Sequence, residues 1–496
     1  MRSRRSVRSL FPAVLAVGLA PVLLATPVLA QAGDGWSQFQ GGPAHTGVAA
    51  TGPAPGYRLA WEFLQAGGGP RGEYGLSAPV VTGDTVVAVG PESIVGLTVA
   101  TGDVAWSIDR ALGPSVGAAV AQGPDGPVVL FTEGWGDGPP DVDQTPTVTT
   151  STSASASPSA VPGDAGPTDS RLMAFTPRET EPLWTVDLPA VSRTGVTITG
   201  DLAVVGGIDG SITAVEVATG DEAWTANVGG FVESSIAATD DLIVVPVRGD
   251  QDTAVALVAL AVSDGEQAWR YEPATTSYAG GAPSIDDDTA YVTFADGTVR
   301  AVALADGAER WRAILNASVN PFSAASSPVL VDGAVLVADV RGQVYRLDAA
   351  TGDRVWDHAY NRPVIRSTPV AVGDHLVLAT TDGHLAAFEL SSGDLVWESA
   401  LGDASLRSIA VADDTLVIAR GGASAGMAGI VHDPAAASVR VQSPTILRPA
   451  AMLAGWAAGF VVAMGLLLGG RVLWARLGPP EIPSEDEGEP DGEEES

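Results

Sequence analysis

The chain has 496 residues, 59 of them acidic and 26 basic, for a net charge of −33. Every basic residue is arginine and there is no cysteine, which excludes a P-loop or Schiff-base lysine, a disulfide framework, a thiolate metal site, an Fe–S cluster and a lipidated N-terminal cysteine. The charge argues against binding nucleic acid or an anionic membrane surface through a basic patch. Five scattered histidines (His45, His358, His375, His384 and His432) show no metal-ligand spacing.

Residues 1–30 read as a secretory signal peptide. Arg2, Arg4, Arg5 and Arg8 precede an apolar stretch from Leu10 to Leu29, and Ala30 closes it with a small residue. Residues 31–56 follow as an N-terminal docking segment. Its core, Trp36 to Gly47, has no strand or helix period and carries the turn pairs Gly41-Gly42-Pro43 and Thr46-Gly47. Trp36 and Phe39 would be costly in a free loop, so the segment is expected to pack on the rest of the protein. His45 reads as structural, because no base or ligand partner stands near it in sequence.

From 57 to 435 one phrase recurs. Ala350-Thr351-Gly352-Asp353-Arg354-Val355-Trp356 has near copies ending at Trp106 and Trp224, looser ones at Trp269, Trp311 and Trp397, and degenerate ones at Trp61 and Trp184. The steps between these tryptophans are 45, 78, 40, 45, 42, 45 and 41 residues. Between them lie short valine-rich runs bounded by Gly/Asp turns, such as Val329-Leu330, Ala334-Val335-Leu336-Val337 and Gln343-Val344-Tyr345-Arg346-Leu347. A repeat of about 40–45 residues filled with short antiparallel strands predicts a β-propeller. The fold class is therefore all-β, with four-stranded antiparallel blades. Eight openings can be counted, near residues 77, 116, 193, 234, 282, 326, 367 and 408. The last blade lacks a tryptophan strand, and Tyr57 to Phe63 is such a strand without a blade, so it is predicted to close the ring. Seven blades are the alternative if the second blade is malformed. That blade is interrupted at 136–170 by a Thr/Ser/Pro-rich insertion, expected to be disordered because it cannot bury enough apolar surface to order itself. Asp240-Asp241, Asp286-Asp287-Asp288 and Asp413-Asp414 fall at the first turn of their blades and read as turn formers, since one turn supplies too few oxygens for calcium.

The Trp36-to-Gly47 phrase before tryptophan-ending repeats resembles the PQQ-like (pyrroloquinoline quinone) β-propeller family. The family implies one of two roles. Quinoprotein dehydrogenases hold PQQ on the propeller axis beside calcium, with an aspartate base; the propeller of the outer-membrane assembly machinery binds partners and catalyses nothing. The carry-over is confined to the turn-and-tryptophan phrases, so Trp61, Trp106, Trp184, Trp224, Trp269, Trp311, Trp356 and Trp397 are expected to dock blades rather than hold a cofactor. The adjacent cysteines common in the dehydrogenases are missing, and so is the lipidation cysteine typical of the assembly propeller.

A juxtamembrane linker is expected over 436–449, followed by a transmembrane helix over 450–473. Ala450 to Gly470 carries no charge, and Arg471 and Arg476 follow it on what would be the inner side. Residues 474–496 form an acidic cytoplasmic tail. The sequence thus predicts a single-pass protein of the cell membrane with an extracytoplasmic propeller. Its expected role is a non-catalytic binding or scaffolding module for an unidentified protein or envelope ligand, without a cofactor or metal. The alternative is a PQQ- and calcium-dependent dehydrogenase coupled to the membrane.

Overall fold

The computed structural model describes residues 36–436 except 65–75, 91–92, 110–115, 124–125, 135–169, 178, 180, 251–252, 276, 316–325, 365–366, 403–404 and 422–424. The expected signal peptide, nearly all of the 136–170 insertion, and the expected linker, membrane helix and tail beyond 436 lie outside the described residues. Among the described residues no helix is long and apolar enough to cross a membrane.

Eight antiparallel sheets follow one another along the chain. Blades 1 to 7 span residues 80–109, 119–187, 197–227, 237–271, 284–314, 329–359 and 370–400. Blade 8 is built from Ser405–Ala412, Thr415–Gly421 and Gly426–His432, and its fourth strand is Tyr57–Leu64, which pairs antiparallel with Gly426–His432. The lone N-terminal strand therefore closes the ring, and the count is eight. First strands of neighbouring blades contact one another from blade 1 to blade 7, and that of blade 8 contacts blades 7 and 1. The first strand is thus innermost and the tryptophan strand outermost.

Burial follows from this stacking. The second strand of blade 6, Ala334–Ala338, is buried at every residue, because both faces of its sheet are covered by neighbours. The outermost strand Glu309–Ile314 buries Trp311 and exposes the residues on either side of it. Each blade has two ends. Turns after the first and third strands share one of them, as the bonds from Leu304 N to Asp288 O (2.9 Å) and from Ala349 N to Gly333 O (2.9 Å) show; this is the tryptophan-turn end. Hairpins between the second and third strands, together with the crossings from blade to blade, form the other, the connection end.

The repeated phrase is the joint between blades. Trp61, Trp184, Trp224, Trp269, Trp311 and Trp356 each donate their indole N–H to a carbonyl of the next blade: Val99, Val217, Val262, Leu304, Ala349 and Leu390, at 2.6–3.0 Å. The ring of each lies against the turn glycine of that same blade, Gly352 covering Trp311. Two constraints therefore meet at Gly352. Its φ of +75° suits only glycine, and an added Cβ would stand 2.6 Å from the Trp311 ring. Gly352→Ala is expected to cost about 2–4 kcal/mol, from backbone strain plus overpacking. Gly333→Ala, with φ +66° but nothing within 4 Å of its Cβ, should cost only about 1–2 kcal/mol. Urea unfolding of the two variants side by side checks this; equal losses would show that the ring contact contributes nothing.

The channel lined by the inner strands is crossed by the N-terminal segment. In these inner strands one N–H points away from the hairpin partner and needs an acceptor. Val81 N–H donates to Trp36 O (2.7 Å), Val120 to Ser37 O (2.9 Å), Ala238 to Pro43 O (2.8 Å), Ile285 to Ala44 O (2.8 Å), Leu330 to Thr46 O (2.9 Å) and Ala371 to Gly47 O (2.9 Å). At blade 3 a side chain substitutes for backbone: Ile198 N–H donates to Gln38 Oε1 (2.7 Å) and Gln38 Nε2 donates back to Ile198 O (2.9 Å). The segment so visits blades 1 to 7 in chain order, then adds Val48–Ala49 as a short parallel strand beside Val370–Val372.

Candidate functional site at the connection end

Among the described residues of the connection end, backbone bridges tie several crossings to hairpins. Chain crossings into blades 3, 4 and 5 bridge back to hairpins of their own blades, at Ser192–Gly207, Phe231–Arg248 and Ala279–Phe294. The crossing into blade 7 does so through Thr381 N–H to Pro363 O (2.9 Å). On this rim the arginines sit in mixed clusters with aromatic rings. Between blades 3 and 4, Glu233 accepts from Arg193 (3.2 Å) and from Arg248 (2.8 Å), whose guanidinium lies 4.8 Å over the Phe231 ring. The two arginine side chains are 38% and 45% exposed. At blades 6 and 7, Arg362 donates to Glu398 Oε1 (2.6 Å) and Asp382 Oδ2 (2.9 Å), and Tyr360 donates to Glu398 as well (2.9 Å). Burial pushes the Asp382 carboxyl upward, but hydrogen bonds from Thr380 and Arg362 outweigh it and leave the pKa lowered. In blade 8, buried Arg420 pairs with Glu62.

The tryptophan-turn end has the opposite character. Asp84, Asp201, Asp241, Asp287, Asp332 and Asp374 are exposed on first turns, and Asp103, Asp221 and Asp353 on tryptophan turns. Three of these carboxylates accept turn hydrogen bonds: Thr85 donates to Asp84 (3.1 Å), Thr101 to Asp103 (2.7 Å) and Thr351 to Asp353 (3.0 Å). Arg310 clamps Asp288 through both oxygens at 2.7 Å. Asp286 turns partly inward, accepts from Tyr291 (2.9 Å) and has its pKa raised by burial.

The eight tryptophans expected to dock blades all lie on fourth strands. Six are buried, while Trp184 and Trp356 are only half-buried. Of the histidines, His45 is buried in the channel segment with Nδ1 3.2 Å from Pro283 O and its ring edge-on to Phe39. His358 packs on Phe388; His375, His384 and His432 sit beside Glu389, Asp382 and Ala54 O respectively. The structure brings no two histidines together in one contact. Among the described residues no group of three His, Cys, Asp or Glu could hold a metal ion. The amides Gln38 and Gln40 and the His45 ring, which the segment carries into the channel, are already bonded to blade backbone. The rim clusters went unread in the sequence because their members come from separate blades; Gln38 and Gln40 stood within the recognised phrase, and only their spacing to it could have marked them.

Ring, joints and rim together define a PQQ-like β-propeller. Within that class the chain belongs to the family described as outer membrane protein assembly factor BamB, whose model matches residues 168–320 and 295–474, more than half of the sequence. No curated protein matches it. Among solved structures it is similar to BamB from Moraxella catarrhalis, at 13% identity and TM-score 0.53, covering 76% of this chain and 99% of that one. It is also similar to the quinohemoprotein alcohol dehydrogenase ADHIIG from Pseudomonas putida HK5, at 13% identity and TM-score 0.57, covering 80% and 79%. The quinohemoprotein alcohol dehydrogenase from Comamonas testosteroni gives 12% identity and TM-score 0.58, with 80% of each chain covered. At such identities the likeness extends to the fold alone.

Proposed function

We propose that this protein is a membrane-anchored, extracytoplasmic propeller that binds a protein or cell-envelope ligand at its connection end, without catalysing a reaction on it. The observation that carries this reading is the rim: half-exposed Arg193, Arg248 and Arg362 beside Phe231 and Tyr360, on backbone stiffened by bridges. Arginine and aromatic side chains held rigid are the groups that supply binding energy at protein interfaces. The family name points to an assembly partner. Ala436, the last described residue, follows the blade 8 strand Gly426–His432 at its tryptophan-turn end. The proposed signal at 1–30 and helix at 450–473 supply export and anchoring.

A photo-cross-linking residue at Phe231 or Tyr360, in intact cells, is expected to capture a discrete partner that is not captured from Thr219 or Thr351 at the other end. Arg193→Glu with Arg248→Glu should abolish that capture. Equal capture from both ends would overturn the assignment of the rim. Reduction of a redox dye by the purified protein only after PQQ, Ca²⁺ and an alcohol are added would overturn the non-catalytic reading.

A further inference from the structure

Inner strands of propellers present their edges to the channel, and here one edge amide per blade is capped by Trp36 to Gly47 at the same strand position in seven successive blades. The caps are backbone carbonyls or the Gln38 amide, and the buried side chains of Trp36, Gln40 and His45 add contacts of their own. The segment belongs to no blade until Val48 and enters the ring only through contacts that a separate peptide could make. It also bears costs that blade residues avoid. Gln40 and His45 hold left-handed backbone, at φ +53° and +54°, a region in which non-glycine residues are strained. Gln40 donates to Pro328 O (3.0 Å), but its buried Oε1 has no partner. The chain emerges at Ala50 and Thr51, both exposed, before it turns back into the closing strand at Tyr57.

From this juxtaposition we infer that the propeller channel is a binding site for a peptide that winds along the inner strands with turns at Gln40 and His45, and that Trp36 to Ala49 is its resident ligand rather than an inseparable part of the core. The ring itself is closed by a different device, the pairing of Tyr57–Leu64 with Gly426–His432, so the blades can remain assembled when the segment leaves. The ligand class is a peptide that offers backbone carbonyls at the positions of Trp36, Ser37, Pro43, Ala44, Thr46 and Gly47, together with a glutamine amide at the blade 3 position. This site lies on the inner edges of the blades and does not rest on the function proposed for the rim.

The test uses the full-length protein with a protease site inserted between Ala50 and Thr51. After cleavage the N-terminal fragment is expected to co-elute with the propeller, and to exchange for a fluorescent synthetic peptide of residues 36–50 while the protein stays folded. A Gln38→Ala version of the peptide should bind at least tenfold more weakly. Two results would overturn the inference: a fragment that separates at once with no peptide rebinding, or one that leaves only when the blades unfold. Should the inserted protein fail to fold, native hydrogen exchange of the unaltered protein gives the answer. The amides of Val81, Val120, Ala238, Ile285, Leu330 and Ala371 are expected to open together and at least tenfold faster than amides between second and third strands; exchange at one common rate would place the segment in the core.

Discussion

Trp269→Ala is expected to destabilise the propeller by about 3–5 kcal/mol, the range for removing a buried tryptophan that leaves its cavity behind. Three contacts are lost together. The ring is buried in a blade 4–5 cluster with Leu257, Ile285, Val302 and Leu304; its N–H donates to Leu304 O at 2.6 Å; and Gly307 of the next blade lies against its face. The blade 5 turn cannot close over the gap, since Gly307 is held at φ +73° by its own hairpin, where its N–H donates to Ala303 O (2.9 Å). Trp356→Ala removes the same type of bond, at 3.0 Å to Leu390 O, from a half-buried ring, and should cost clearly less. Shifts in the urea midpoint at constant slope measure both. A Trp269 loss no larger than that of Trp356 would show that burial between blades is not what the repeat supplies.

That contrast also marks what the sequence could tell. The joints were legible because one residue type, tryptophan, and one turn, with glycine four or five residues before it, must recur at the blade period. The closing strand was legible because Tyr57 to Phe63 read as a fourth strand with nothing before it. Less visible was the seam it leaves. At blade 8 the separate strand ends Tyr57 and His432 replace the tryptophan turn, so Trp397, 2% exposed and edge-on to Tyr57 at 5.0 Å, has no acceptor for its buried N–H among the described residues. The path of the channel segment was hidden for a different reason. It is held mostly through backbone carbonyls, which every sequence possesses, and it bends at Gln40 and His45, where no glycine announces a left-handed turn. The rim clusters depend on which blades adjoin and on hairpin length, and neither leaves a periodic trace. Buried Arg300 is a similar case: it lies among Asp296, Glu309, Tyr271 and Phe294, drawn from blades 4 and 5.

Acidification from pH 6.5 towards 4 is expected to remove about 3 kcal/mol of stability through His45 alone. Burial pushes this imidazole down to about 4 from an ordinary value of 6.5, and its bond to Pro283 O offsets only part of that shift. Between those two pH values the unfolded chain binds the proton and the folded chain refuses it. Stability therefore rises with pH across the window and is lost as pH falls through it. The many surface carboxylates titrate in the same region, so wild type alone cannot isolate the effect. His45→Asn can, because asparagine tolerates φ +54° better than most residues and its amide can donate to Pro283 O, without a group that titrates. The carboxylates are common to both proteins and cancel in the difference. Wild type minus His45→Asn, measured by urea unfolding at intervals from pH 7 to pH 4, should fall by about 3 kcal/mol towards acid. A flat difference would mean that His45 takes up its proton in the folded channel at its ordinary pKa, and so that the ring is not sealed from water between Phe39 and Pro283.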